Sequence, residues 1–240
     1  ITNKDDTTVS FSFTLPSGAS SITIQQSSDN GNTWSDSTLT EALNPNSTTA
    51  RVIGLTSGTT YQFRLVVKST SVSDVIETTT THSKVYNLEL GRWGIYNDGT
   101  HPVETTKGFN DALKWAHDNG KRTFKVPAGR YLIKKGEPYD PDSRINMVSD
   151  MTFEMDDNAV LQKETNGKER YELFYIGPGV KNVILKGGAY LGDRGTHNFS
   201  QKDSPYTSGT HESGYGILAE GAVNLIIDGV KSKNFTGDGL

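Results

Sequence analysis

Two stretches of this chain superpose without a gap. One is Phe174-Tyr175-Ile176-Gly177-Pro178-Gly179-Val180-Lys181-Asn182-Val183-Ile184-Leu185-Lys186-Gly187. The other is Gly216-Ile217-Leu218-Ala219-Glu220-Gly221-Ala222-Val223-Asn224-Leu225-Ile226-Ile227-Asp228-Gly229. Gly179 falls on Gly221, Asn182 on Asn224 and Gly187 on Gly229, and a fainter copy runs Val148-Ser149-Asp150-Met151-Thr152-Phe153-Glu154. In each, Asn or Asp precedes an apolar-x-apolar strand. Recurrence of one strand–turn unit is the mark of a solenoid, in which no coil buries its apolar face alone and the stack does so collectively. Glycine supplies the positive φ of the turns, and an Asn side chain at a turn can hydrogen-bond its counterpart one coil away. Asn182 and Asn224 are therefore expected to be structural, with Ile184, Leu185, Ile226 and Ile227 as interior or sheet-face positions.

Upstream lies one amphipathic helix. Phe109, Ala112, Leu113 and Ala116 sit at i, i+3, i+4 and i+7, a single apolar face. Thr105 or Thr106 is expected to cap its start and Asn119-Gly120 to end it. Strands follow at Thr123–Val126 and Tyr131–Ile133, joined by Pro127-Ala128-Gly129.

This order resembles the N-terminal cap of the pectate-lyase-like superfamily found in phage tailspikes and many polysaccharide-degrading enzymes. The matching residues are the turn Asn97-Asp98-Gly99-Thr100, the helix, and Val126-Pro127-Ala128-Gly129-Arg130-Tyr131-Leu132-Ile133. The resemblance implies a right-handed parallel β-helix whose open apolar end is hidden by the helix, with Asp98 as a turn residue. His101-Pro102-Val103-Glu104 stands where many members carry paired acidic residues, which argues against any one enzyme subfamily.

Residues 8–80 alternate in the strand period, as in Val9-Ser10-Phe11-Ser12-Phe13, with Asp29-Asn30-Gly31-Asn32 as hairpin chemistry. Gly54-Leu55-Thr56-Ser57-Gly58-Thr59-Thr60-Tyr61-Gln62-Phe63-Arg64 resembles the fibronectin type III signature, which implies that the Tyr61 hydroxyl bonds upstream backbone. Such a module mostly spaces and presents its neighbours; Trp34 offers a rival reading as a sugar-stacking ring. The polar run Thr78 to Lys84 is expected to be loosely structured. The expected fold class is all-β: a fibronectin-III-like β-sandwich over residues 1–82, then the cap and first coils of a parallel β-helix over 83–240, continuing past Leu240 because Gly237-Asp238-Gly239-Leu240 reads like the middle of a repeat.

Net charge is −4 and no basic stripe is present, so nucleic acid and membrane are not expected partners. Absence of cysteine removes disulfides and thiolate metal sites, and no apolar run is long enough to span a bilayer. The chain opens on polar residues with no visible signal peptide.

Chemistry is expected in the polar insertion from Gly192 to Gly214. A glycoside hydrolase needs two carboxylates as acid with base or nucleophile; Asp193, Glu212 and Asp238 are the catalytic candidates. Arg194, His197, Tyr206 and His211 are candidates for binding substrate. A lyase would instead use Arg or Lys as base, with Ca²⁺ held by carboxylates; otherwise no cofactor is expected, and the histidines lack metal spacing. The tailspike resemblance implies a phage or prophage tail appendage, located in the virion tail or outside the cell, that binds a bacterial surface polysaccharide or teichoic acid of a Gram-positive host as a homotrimer, with depolymerisation of that glycan as its candidate activity. The alternatives are a secreted polygalacturonase-like glycoside hydrolase and a non-catalytic adhesin fragment.

Overall fold

The computed structural model describes residues 1–67, 71–136, 139–202 and 209–240. The chain is mostly β, and its contacts divide it into two compact units, Ile1–Ser83 and Lys84–Leu240.

The first unit holds β1 (Asn3–Lys4), β2 (Val9–Ser12), β3 (Ile22–Ser27), β4 (Ser35–Asp36), β5 (Thr49–Val52), β6 (Thr60–Val67), β7 (Ser71–Val72) and β8 (Ile76–Thr79). They form two antiparallel sheets, β1-β2-β5 and β4-β3-β6-β7, with β8 also pairing β6. The alternation read in the sequence places Val9, Phe11, Ile24, Val52, Tyr61 and Phe63 in one core. The Tyr61 hydroxyl accepts a hydrogen bond from the Thr56 amide at 3.1 Å. Trp34 donates from Nε1 to the Gly31 carbonyl, and the Arg64 guanidinium lies 4.1 Å from its ring centroid. One face of Trp34 is thus already occupied by a cation.

The polar run from Thr78 is ordered, contrary to its reading as a loose segment. Thr78 and Thr79 belong to β8. Thr80 is buried and its hydroxyl donates to the Thr56 carbonyl at 2.6 Å, while the Thr81 amide donates to Asp5. Threonine hydroxyls satisfy the turn backbone here, so a polar composition did not mean a free chain.

The second unit contains β9 (Val85–Asn87), α1 (Leu90–Trp93), α2 (Pro102–Asp118), β10 (Thr123–Val126), β11 (Gly129–Ile133), β12 (Ile145–Asn146), β13 (Met151–Met155), β14 (Ala159–Lys163), β15 (Arg170–Ile176), β16 (Lys181–Lys186), β17 (Ala189–Leu191), β18 (Ser213–Ala219), β19 (Val223–Asp228) and β20 (Lys231–Lys233). The chain visits three sheets in rotation, ordered β9-β10-β13-β16-β19, β11-β14-β17-β20 and β12-β15-β18. Every neighbouring pair is parallel. The result is a solenoid whose inward side chains stack coil upon coil. Phe124 lies over Phe153 with ring centroids 5.6 Å apart and planes 8° from parallel, and Phe174 over Tyr190 at 5.8 Å and 12°. In the same register Phe153 meets Leu185 and Leu185 meets Ile227. Leu185 is buried, whereas Ile227, in register with it, stays exposed on the edge strand β19; Ile226, in register with the half-buried Ile184, is on the other face of the sheet.

Helix α2 begins at Pro102, after His101 in the left-handed region at φ 51°, rather than at the expected Thr105 or Thr106. Both threonines are fully buried inside it. Proline suits the first turn because it has no amide proton to leave unsatisfied, which frees the threonines for other work. Thr106 donates to the Pro102 carbonyl and accepts from the Lys134 amide at 2.8 Å, which ties the helix to the coil. Thr105 accepts from the Tyr96 amide. The apolar face Phe109, Ala112, Leu113 and Ala116 is fully buried. Gly108 marks a close crossing: a Cβ there would stand 2.4 Å from the Trp93 carbonyl oxygen.

One corner of the coil, where β13, β16 and β19 begin, takes the same backbone turn each time. Asp150, Asn182 and Asn224 all hold positive φ, at 55°, 55° and 57°. Asn224 Nδ2 donates to Asn182 Oδ1 at 2.9 Å, and Asn182 Nδ2 donates to Asp150 Oδ1 at 2.7 Å. Asp98 sits in the turn before α2, its carboxylate accepting from the Thr100 amide and hydroxyl.

Candidate functional site

The opposite corner, where each coil leaves the β11-β14-β17-β20 sheet, is irregular. Of the described residues, 134–136 and 139–144 precede β12, 164–169 precede β15, 192–202 and 209–212 precede β18, and 234–240 follow β20. Asp150 and Asn182 are 32 residues apart, Asn182 and Asn224 are 42 apart. The coil that carries the third of these loops is the longer one, and the loop ladders onto its neighbours. Gly192 donates to Lys233, Arg194 to Asn234 and Asn198 to Asn166, all backbone to backbone. Glycines permit the approach: a Cβ on Gly192 would lie 2.2 Å from the Asn234 oxygen, and one on Gly237 2.2 Å from the Glu212 oxygen.

Inside this corner lies a buried polar chain. Asp193 Oδ1 accepts from the Tyr171 hydroxyl at 2.8 Å. Its Oδ2 faces the Asn166 amide at 2.8 Å, Asn166 Nδ2 at 3.0 Å and His197 Nδ1 at 2.9 Å. His197 Nε2 in turn lies 2.9 Å from His211 Nδ1. The side chains of Asp193 and His197 have no exposure, and His211 is 1% exposed. His211 Nε2 has no hydrogen-bond partner among the described residues. Phe199, about half exposed, lies edge-on over both imidazoles, with centroids 4.8 Å from His197 and 5.6 Å from His211. Burial, and then the Asp193 charge, push the Tyr171 hydroxyl well above the usual phenol range, so it stays a donor to the carboxylate.

A second buried group adjoins it. Lys163 is fully enclosed and donates to the carbonyls of Ser143 and Glu172. Burial pulls its ammonium down to about 7, against the nearby charge of Glu172. Glu172, 1% exposed, is held between Arg144 and Arg170, each at 3.2 Å. The Arg144 guanidinium stacks 3.6 Å from the Tyr175 ring centroid, and the Tyr175 hydroxyl donates to Glu220 at 3.0 Å.

The sequence candidates thus separate. Asp193, His197 and His211 come together. Arg194 is exposed and reaches the Phe235 carbonyl at 3.4 Å. Glu212 and Asp238 are exposed, the Asp238 carbonyl accepting from the Gly216 amide. Tyr206 lies outside the described residues. Two expectations change. Asp193 is no surface member of a carboxylate pair, because four donors already fill its oxygens. His197 and His211 are enclosed rather than presented on the surface. Asn166, Tyr171, Lys163, Glu172 and Arg144 escaped the sequence reading. They lie on neighbouring coils, and only the strand register sets them beside the insertion. Among the described residues no three His, Asp or Glu side chains gather to hold a metal ion, and no helix is long and apolar enough to cross a membrane.

No family model matches the chain. Over 160 residues it is 36% identical to an uncharacterised SPbeta prophage-derived protein, YorA, of Bacillus subtilis (strain 168); the alignment covers 65% of this chain and 27% of that protein. Over 158 residues it is 32% identical to uncharacterised protein YclG of the same bacterium, covering 64% of this chain and 26% of that one. The chain spans about a quarter of the length of these curated relatives. Among solved structures, the Family 28 exopolygalacturonase of Yersinia enterocolitica aligns with 97% of this chain and 54% of its own, at 17% identity and a TM-score of 0.39. The Streptococcus pneumoniae surface protein and adhesin PfbA aligns with 60% of this chain and 40% of its own, at 16% identity and TM-score 0.40. The FN1–FN3 domains of chicken CNTN1 cover 35% of this chain and 31% of their own, at 24% identity and TM-score 0.31.

Proposed function

We propose that this chain is part of a phage or prophage tail appendage that binds a bacterial surface glycan. In this reading the second unit is the cap and first coils of a right-handed parallel β-helix of the pectate-lyase-like kind. The first is a fibronectin-III-like module that spaces it from its neighbours. The observation that carries the reading is the contrast within each coil: one corner repeats, while the other throws out loops of unequal length, the usual place for a binding wall on a rigid scaffold. The prophage-derived relative supports the phage assignment. The hydrogen bond from the Thr56 amide to the Tyr61 hydroxyl supports the module assignment.

The test is co-sedimentation of the purified protein with walls of a Gram-positive host, before and after chemical removal of teichoic acid and of neutral polysaccharide. Binding that disappears with one of these polymers supports the proposal and names the ligand. Equal recovery with and without walls overturns it. Release of reducing ends from the same polymers distinguishes cutting from holding, and light scattering on the intact protein tests the trimer, which a monomer would overturn.

A further inference from the structure

The buried chain at the loop corner has a direction. A carboxylate only accepts, so Asp193 requires a proton on His197 Nδ1. With that proton as its one proton, His197 has Nε2 as an acceptor; it faces His211 Nδ1 at 2.9 Å, and the direction that follows is the one the experiment below reads. His211 must then carry its proton on Nδ1, and its Nε2 is a bare lone pair. That nitrogen is one of the buried side-chain atoms without a hydrogen-bond partner among the described residues. Leaving a buried acceptor unmade costs about 1–3 kcal/mol, and native proteins hold few such groups. The partner of His211 Nε2 is therefore sought among groups that donate one proton.

The geometry points to His211 Nε2 as the receiving atom for a hydroxyl of a saccharide ligand, held in one tautomer by Asp193 through His197 and covered by Phe199 until the ligand arrives. The saccharide class rests on the glycan-binding reading above; the tautomer does not. A hydroxyl donates one proton to Nε2 and remains an acceptor for its own neighbours, whereas a carboxylate or phosphate ester oxygen offers no proton and is refused. Phe199 touches both imidazoles from a half-exposed position, so it can swing into solvent while Asp193, Asn166 and Tyr171 stay in place.

The experiment is ¹⁵N spectroscopy of histidine side chains in the whole chain, which has five histidines, with His197→Gln and His211→Gln as assignment controls. The expected result at neutral pH is His211 protonated on Nδ1 alone. A proton on its Nε2 overturns the relay. The second arm adds oligomers of the wall polymer that co-sediments. The His211 Nε2 resonance should move while those of His82, His101 and His117 stay. His211→Gln should weaken binding about tenfold, the loss of one buried hydrogen bond, and Phe199→Ala, at an exposed site, should speed association severalfold with the fold intact. An unmoved Nε2 in a sample that binds the polymer overturns this inference and leaves the glycan reading standing. Failure of all walls to bind overturns that reading, and with it the saccharide, while the tautomer is still read from the first arm.

Discussion

The two corners of one coil obey different rules. At the ladder corner Asp150, Asn182 and Asn224 share a backbone conformation, and each contact is exposed, neutral or singly charged, and repeated. At the loop corner the spacing changes, and polar groups are buried and charged: Asp193, Glu172 and Lys163 are each at most 2% exposed. Both corners solve the same problem, a backbone turn at the edge of a stacked sheet. The first does so with one cheap hydrogen bond per coil. The second commits buried charge, which costs several kcal/mol per ion unless fully paired. Burial of charge where a small amide would serve marks the corner that does something besides turning.

That contrast can be broken most forcefully at Asp193. Asp193→Ala strips the acceptor from Asn166, Tyr171 and His197 at once and, at about 1–3 kcal/mol for each buried donor left unmade, should cost at least about 3 kcal/mol in chemical denaturation of the intact chain. A cost under about 1 kcal/mol would place the buried chain on the same footing as the ladder. Lys163 comes next. Its ammonium titrates at about 7 when folded and 10.5 in the reference state, so between these values the unfolded chain holds the proton that the folded chain has released. Stability should therefore rise with pH from about 7 to about 10, by at most about 1.4 kcal/mol per unit. Lys163→Met should flatten that slope in denaturation curves taken across the window; an unchanged slope would show that another group sets it. At the ladder, Asn182→Ala loses two side-chain hydrogen bonds and forces Ala into positive φ, for about 1–2 kcal/mol. Asn182→Gly keeps the turn and should cost about half as much, which isolates the ladder's own share. The smallest effect belongs to Tyr190, whose buried hydroxyl has no partner among the described residues. Tyr190→Phe should be neutral or stabilising by up to about 1 kcal/mol in the melting curve.

The ladder corner was fully legible in the sequence, because repetition writes a structural requirement several times in the same letters. Gly179 with Gly221 and Asn182 with Asn224 announce the turn, and Asp150 shows even in the faint copy. The loop corner was legible only as a place. Asp193, His197 and His211 stood out as polar residues in an insertion. Their order of hydrogen bonding depends on Asn166 and Tyr171, 27 and 22 residues from Asp193, and that closeness comes from strand register. The start of α2 was misplaced for a related reason: Thr105 and Thr106 look like caps to a reader of local signals, but their hydroxyls serve Tyr96 and Lys134.

The Asp150–Asn182–Asn224 ladder also has a grammar of succession. Each amide hands its proton back to the coil before it. A carboxylate has no proton to hand on, so aspartate can stand first in the line and nowhere later. When synthesis delivers the chain from its N-terminus, Asp150 is already waiting when Asn182 emerges, and Asn182 when Asn224 does. Every rung finds its acceptor made, and the direction of translation becomes the direction in which the coil can close.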